Sequence, residues 1–251
     1  VNASGSHTPT LEALWISDVG LVRQNNEDSW SIDPALRVAM VADGMGGASS
    51  GEVASAMAVE TVLEYLRGTP LLEAGPAIEA AIQEANRRVL ERSHSDADCS
   101  GMGSTLVLAL WDLPRLIVAN VGDSRAYLWR DGSLTQLSYD QTLVNELKMR
   151  FGLSEDEVRN FPHKNVLTMA VGTTPQLTVR TCEEELQPGD VVLLCSDGLT
   201  GPVAEEAIAA TLSRDAPLQY QVEQLVTQAK AAGAPDNVTV VLLRYNDWEI
   251  L

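Results

Sequence analysis

Cysteine and histidine are scarce in this chain of 251 residues, with three of each. Cys99, Cys182 and Cys195 are too few and too far apart for a disulfide framework or a thiolate zinc site. Cys195 lies inside an apolar run at 191–195, where a thiol packs as a small hydrophobe. His7, His94 and His163 fall in unrelated contexts, which removes a His-rich metal site and leaves a Ser-His-Asp hydrolase without a supporting motif. Positive charge is also short: 17 Lys and Arg stand against 35 Asp and Glu, for a formal charge of −18. Such a chain lacks the basic face that displaces counterions from a nucleic-acid backbone, and anionic lipid repels it. Neither nucleic acid nor membrane is therefore expected as a partner. No apolar run approaches the roughly 18 residues of a spanning helix, and residues 1–11 carry neither the basic nor the apolar region of an export signal. A cytoplasmic protein is expected, with residues 1–10 as an N-terminal tail and 1–7 as an expression remnant. Whatever chemistry the protein performs falls to carboxylates.

Neither an internal repeat nor a Pro/Gly/Ser-rich linker divides the remainder, and residues 11–248 read as one domain. Short segments rich in Val, Ile and Leu recur at 37–42, 105–111, 116–121, 126–129, 190–195 and 238–245, each bounded by Gly, Asp or Pro, as strands are. Asp131-Gly132 predicts a hairpin turn between two strands. Helical patterns lie at 51–67, behind a capping box of Ser49 and Glu52, at 76–92 with Pro76 near its first turn, and at 218–232. Two long helices in succession, followed by strands paired as hairpins, favour an α+β fold over a doubly wound parallel sheet: two stacked antiparallel sheets flanked by helices. The stretch 139–172 is more polar, with short helical pieces at 142–150 and at 154–160, the latter capped by Ser154 and Glu157. It reads either as a mobile subdomain or as a solvated helical excursion.

Acidic residues meet these strands in a repeated way. The segment 37–42 runs into Asp43-Gly44-Met45-Gly46-Gly47, 116–121 into Gly122-Asp123-Ser124-Arg125, and 191–195 into Ser196-Asp197-Gly198, while Asp236-Asn237 stands directly before 238–243. Asp-Gly pairs are ordinary turn formers. Four aspartates at the ends of four apolar strands are a stronger signal, because sheet packing can converge them, and their repulsion is costly unless cations fill the cluster. Oxygen ligands alone select Mg²⁺ or Mn²⁺ over zinc. Gly44, Gly46 and Gly47 leave the backbone bare, so a carbonyl can approach an ion, yet their spacing matches neither nucleotide-phosphate loop. Upstream, Arg23 precedes Glu27 and Asp28. It is either a surface ion-pair residue or, beside a two-cation centre, a bidentate phosphate ligand. Glu27 and Asp28 could then hold water on the ions.

Taken together, Arg23 with Asn26-Glu27-Asp28, Asp43-Gly44-Met45-Gly46-Gly47, Gly103-Ser104-Thr105, Gly122-Asp123-Ser124-Arg125, Ser196-Asp197-Gly198 and Asp236-Asn237 resemble the ordered motifs of the type 2C metal-dependent serine/threonine protein phosphatases, bacterial branch. The resemblance spans 17–244. It implies two tightly bound Mn²⁺ or Mg²⁺ ions bridged by Asp43, with the Gly44 carbonyl on one and Asp197 and Asp236 on the other. Asp123 would join Asp197 at a third, weaker site, Arg23 would bind the substrate phosphate, and Asn237 would lie with Glu27 and Asp28 just outside the ions. The stretch 139–172 takes the place of a variable flap. Three positions depart from the pattern: Met45 stands where animal members carry His, Asp140-Gln141 where relatives often read Asp-His, and Met169 where they often carry Arg. Met45 cannot transfer a proton, so the leaving oxygen must take one from another group or from water on an ion.

The expectation is hydrolysis of phosphoserine and phosphothreonine in proteins by a water held between two ions, its pKa lowered by them. Metals and Arg23 would neutralise the equatorial oxygens. Implied partners are phosphoprotein substrates and a cognate serine/threonine kinase, and a monomer is expected. A non-catalytic phosphoprotein-binding regulator of the same fold is the rival reading, opposed by the intact aspartates. A phosphatase tuned to one small acidic regulator is a narrower form of the first.

Overall fold

The computed structural model describes residues 10–246, apart from 47–49, 70–73, 155–156, 159–160 and 162–164. One sheet runs in the order β1 (Thr10–Asp18), β11 (Val238–Asn246), β10 (Val191–Cys195), β7 (Arg125–Arg130) and β8 (Ser133–Gln136). The other runs β2 (Asp28–Asp33), β3 (Val38–Met45), β5 (Leu106–Asp112), β6 (Arg115–Val121) and β9 (Arg180–Glu185), with the short β4 (Gly103–Ser104) on the end of β3. Every pairing is antiparallel.

Period-two alternation explains the unbroken apolar runs of the central strands, because both faces are covered. On β3, Val38, Met40 and Ala42 face helices α1 (Ser50–Arg67) and α2 (Ala74–Ser95) in one core. Ala39 and Val41 face the opposite sheet, packing with Val107, Ala109 and Val118 against Ala126, Val192, Leu194, Val241 and Leu243. On the far side, Leu193, Cys195, Val240 and Leu242 pack under α5 (Glu205–Leu212) and α6 (Leu218–Ala231). The result is the α+β sandwich of two antiparallel sheets with helices on both outer faces.

The helices begin and end close to where their periodicity places them. α1 starts at Ser50, and Ser49 of the expected capping box lies outside the described residues. α2 is longer than its apolar stripe at both ends, so Pro76 sits inside the first turn. In the polar stretch, α3 (Leu143–Phe151) is capped by the Thr142 hydroxyl and closed by Gly152 in a left-handed conformation. Ser154 and Glu157 make the reciprocal contacts of a capping box at 2.7–3.3 Å. Strand β3 does not stop before Asp43: pairing with β2 and β4 carries it through Met45, so Asp43 lies within the strand. Among the described residues, no helix is long and apolar enough to cross a membrane.

Candidate metal centre

The carboxylates gather at one end of the sandwich, supplied by both sheets. From one sheet come Asp28 and Asp43, direct partners across β2 and β3. From the other come Asp197, in the first turn of α4 (Asp197–Thr200) after β10, and Asp236, just before β11. Asp123 sits in the turn by which the chain passes from β6 to β7, and so from one sheet to the other. Asp43 and Asp197 are within hydrogen-bonding reach of each other. Asp123, Asp197 and Asp236 line a cleft of about 580 Å³ with Arg125, Asp140 and Thr142.

Backbone geometry holds the cluster in place. The Gly44 N–H donates to the Glu27 carbonyl at 3.1 Å. A Cβ on Gly44 would sit 2.1 Å from the Gly51 carbonyl oxygen, so only glycine admits this close approach of β3 to α1. Ser196 Oγ donates to Asp28 Oδ2 at 2.8 Å and accepts from the Thr239 N–H at 3.0 Å, joining the two sheets beneath the site. Asn237 uses its whole amide on backbone: Oδ1 accepts from Glu27 N, and Nδ2 donates to the carbonyls of Val19 and Asn25. It therefore secures the loop that carries Arg23.

Crowding of like charge in a dehydrated floor raises the pKa of these acids. Burial, and then the charges of Asp197 and Asp236, push Asp28 up to about 7 against the pull of its hydroxyl partners. Burial, with Asp197 and Asp140 nearby, raises Asp123 to about 7. Asp43 is pushed well above the usual carboxylate range by burial and by Asp28, Asp197 and Asp123, and Asp197 rises through burial and Asp236. Glu27 rises through burial. Asp28 Oδ1, although buried, finds no hydrogen-bond partner among the described residues. A buried carboxylate oxygen without a donor amid four other carboxylates is an arrangement that cations or their waters complete.

The model of the protein phosphatase 2C family matches residues 18–239. This chain belongs to that family. The serine/threonine phosphatase Stp of Listeria welshimeri is 36% identical over 243 residues, covering 94% of this chain and 96% of that protein. The catalytic domain of the phosphatase PstP, in a crystal structure holding two manganese ions, superposes with a TM-score of 0.85 at 35% identity, over 96% of this chain and 100% of that one. Stp1 of Staphylococcus aureus superposes with a TM-score of 0.88 at 29% identity, over 97% and 99% of the two chains.

The donor set of this 2C phosphatase fits hard divalent cations. Among the described residues no three His, Cys, Asp or Glu side chains form a cage around one point. Mg²⁺ and Mn²⁺ do not require one, because Mg²⁺ keeps several waters and takes only one or two carboxylates. Arg23 stands at the rim, half-exposed, with Nη2 2.8 Å from Asp236 Oδ2 and Nη1 3.9 Å from Glu27 Oε2. Its main ion-pair partner is thus a carboxylate of the cleft rather than Glu27 or Asp28.

Several contacts beside the site join residues whose pairing the chain does not mark locally. Arg125 grips Asp140 with Nε and Nη2 at 2.6–3.1 Å and reaches Tyr127 and Glu205 with Nη1, fastening the stem of the 139–172 stretch beside Asp123. Gln141 adds a clamp, accepting from Gly122 N at 2.8 Å and donating to the Thr178 carbonyl at 2.6 Å. The amide here makes two backbone bonds at once. Cys195 is fully buried and its thiol is pushed up to about 12, an inert packing group.

Proposed function

We propose that this phosphatase removes phosphate from phosphoserine and phosphothreonine in proteins with two Mn²⁺ or Mg²⁺ ions, in opposition to a serine/threonine kinase. The observation that carries this reading is that Asp123, Asp197 and Asp236 line one cleft, with Arg23 bonded to Asp236 and with the cross-strand pair Asp28 and Asp43 buried within reach of the same charges. Asp43 would serve both ions, with the Gly44 carbonyl on one and Asp197 and Asp236 on the other, and Asp123 would serve a third, weaker ion. When bound, the ions supply an activated water and neutralise charge on the phosphoryl group. Asp28, with one oxygen fixed by Ser196 and the other unpartnered, would orient water on the ions, and Glu27 would do so from the rim. Asn237 would act at one remove, by holding the Glu27 loop. Arg23 would hold two phosphate oxygens with its fork. It would act as a cytoplasmic monomer on phosphoprotein substrates, and its acidic composition disfavours nucleic acid and anionic lipid as partners.

Hydrolysis of p-nitrophenyl phosphate tests the metal reading. Activity is expected to vanish in excess chelator and to return with Mn²⁺ or Mg²⁺ but not with Ca²⁺, whose longer bonds and larger shell misfit a bridged pair. Full turnover in chelator would overturn it.

Arg23→Ala separates substrate binding from ion binding. Charge-assisted bonds to phosphate are worth roughly 1.5–3 kcal/mol, so kcat/KM is expected to fall by about one to two orders of magnitude. Mn²⁺ affinity is expected to change little, and lysine to recover only part of the loss, because it lacks the planar fork. Kinetics within a few-fold of the parent would leave Arg23 as a surface ion-pair residue.

A further inference from the structure

Thr105 lies where β4 and β5 are interrupted, between the strand end that carries Asp43 and the turn that carries Asp123. Its backbone N–H donates to the Asp43 carbonyl at 2.8 Å, and its Oγ1 accepts from the Asp43 N–H at 2.9 Å. On its other side, Oγ1 lies 2.6 Å from Ser124 Oγ, next in sequence to Asp123. Both residues are buried, at 3% and 0% exposure, so no solvent replaces these bonds. With one lone pair occupied by the Asp43 N–H, the hydroxyl still has a proton to give Ser124 and a lone pair to receive one, and either direction closes the chain. Gly122, at φ +93°, rests on the Thr105 methyl so closely that a Cβ there would lie 2.8 Å from Thr105 Cγ2. The threonine is thus wedged: hydroxyl to Asp43 and Ser124, methyl to the turn that begins Asp123.

We propose that Thr105 is a positioning residue whose hydroxyl, shared between the Asp43 backbone and Ser124, sets the spacing of Asp43 from Asp123 and so couples the ion pair to the third ion. This rests on the metal reading above. Thr105 touches neither ion nor substrate in this account. Valine has nearly the same shape but offers no oxygen, leaving the Asp43 N–H and the Ser124 hydroxyl buried without a partner.

The test is Mn²⁺ titration of the metal-free protein by calorimetry, alongside kinetics at saturating Mn²⁺. Thr105→Val is expected to weaken the third ion and to lower kcat by roughly ten- to a hundredfold, as losses of supporting groups around metal ligands do. KM for p-nitrophenyl phosphate is expected to stay within about twofold, since Arg23 and its loop are untouched. Thr105→Ser keeps the oxygen and is expected to restore most of both. Ser124→Ala cuts only the hydroxyl pair, and is expected to weaken the third ion by roughly tenfold while leaving the tight pair intact. It carries the test if Thr105→Val fails to fold. Thr211→Val is the control for general destabilisation: Thr211 is equally buried, and its hydroxyl bonds the Ala207 carbonyl and Gln228 Nε2 outside the cleft. Isotherms of Thr105→Val or Ser124→Ala that superimpose on the parent, or losses matched by Thr211→Val, overturn the proposal. A parent that binds no Mn²⁺ overturns the metal reading together with it.

Discussion

Asp43→Ala is expected to abolish turnover while leaving the protein folded. Asp43 lies inside β3, faces Asp28 across the ladder and reaches Asp197 from the other sheet, so it meets carboxylates of both halves of the cluster. Under the proposed assignment, two cations would be left without a common anionic ligand. Divalent ions contribute several kcal/mol to phosphoryl transfer, which corresponds to a loss of roughly a thousandfold or more. Tight Mn²⁺ binding should disappear from the calorimetric isotherm. Asp197→Ala should be as severe, and Asp123→Ala milder, with the tight ions kept. The metal-free Asp43→Ala protein should also melt above the metal-free parent at neutral pH, since the substitution removes a carboxylate that its neighbours repel. That rise separates lost chemistry from lost folding. Equal loss of tight binding in the Asp43 and Asp123 variants would refute the division of roles.

The metal-free protein should lose stability as pH rises from about 4 to about 7, the reverse of common acid denaturation. Asp28 and Asp123 are raised from 3.8 to about 7, and Asp43 and Asp197 move the same way. In that window the folded state holds protons that the unfolded chain has released, so the unfolding free energy falls with increasing pH. Asp28 alone corresponds to roughly 4 kcal/mol at the upper end of the window. The acids titrate as an interacting set, so their effects do not simply add. Carboxylates held low by arginine, such as Glu84 beside Arg87 and Arg88, have the opposite dependence and titrate below this window. Urea unfolding in chelator at pH 5.5 and 7.5 measures the slope. Saturating Mn²⁺ should reverse it, because the ions bind the ionised cluster of the folded state alone. Asp28→Asn should flatten it. Stability in chelator that is level or rises across this range would contradict the repulsive cluster.

The parts of the fold legible in the sequence are those with a face to bury. β3, β5, β6, β10 and β11 are central strands covered on both sides, and their apolar runs mark them. β1, β2 and β9 are edge strands, and two of them read as polar: Asp28–Asp33 offers Trp30 and Ile32 to the core, and Arg180–Glu185 is mostly exposed charge. Their strand character comes from pairing with a neighbour, which composition does not record. The aspartates stood out because a charge at the end of an apolar run is locally conspicuous. Their supports did not. Ser196 meets Asp28 across 168 residues and Thr105 meets Ser124 across 19, and a hydroxyl beside a strand carries no mark of which partner it will find. Arg125 announced itself only as part of a motif, and its grip on Asp140 depends on how the 139–172 stretch returns to the cleft.

Because Asp28 and Asp43 belong to one sheet and Asp197 and Asp236 to the other, the thickness of the sandwich is a gauge for the spacing of the acids. The layer between the sheets holds Ala39, Val41, Val107 and Ala109 from one sheet with Ala126, Val192, Leu194 and Val241 from the other, all buried. Facing sheets pack about 10 Å apart, and a filled core yields little to added volume. A wedge in the middle of the layer would reach the cleft as a change of separation, with no ligand altered. The interior of the sandwich would then bear on the reaction without touching a phosphate.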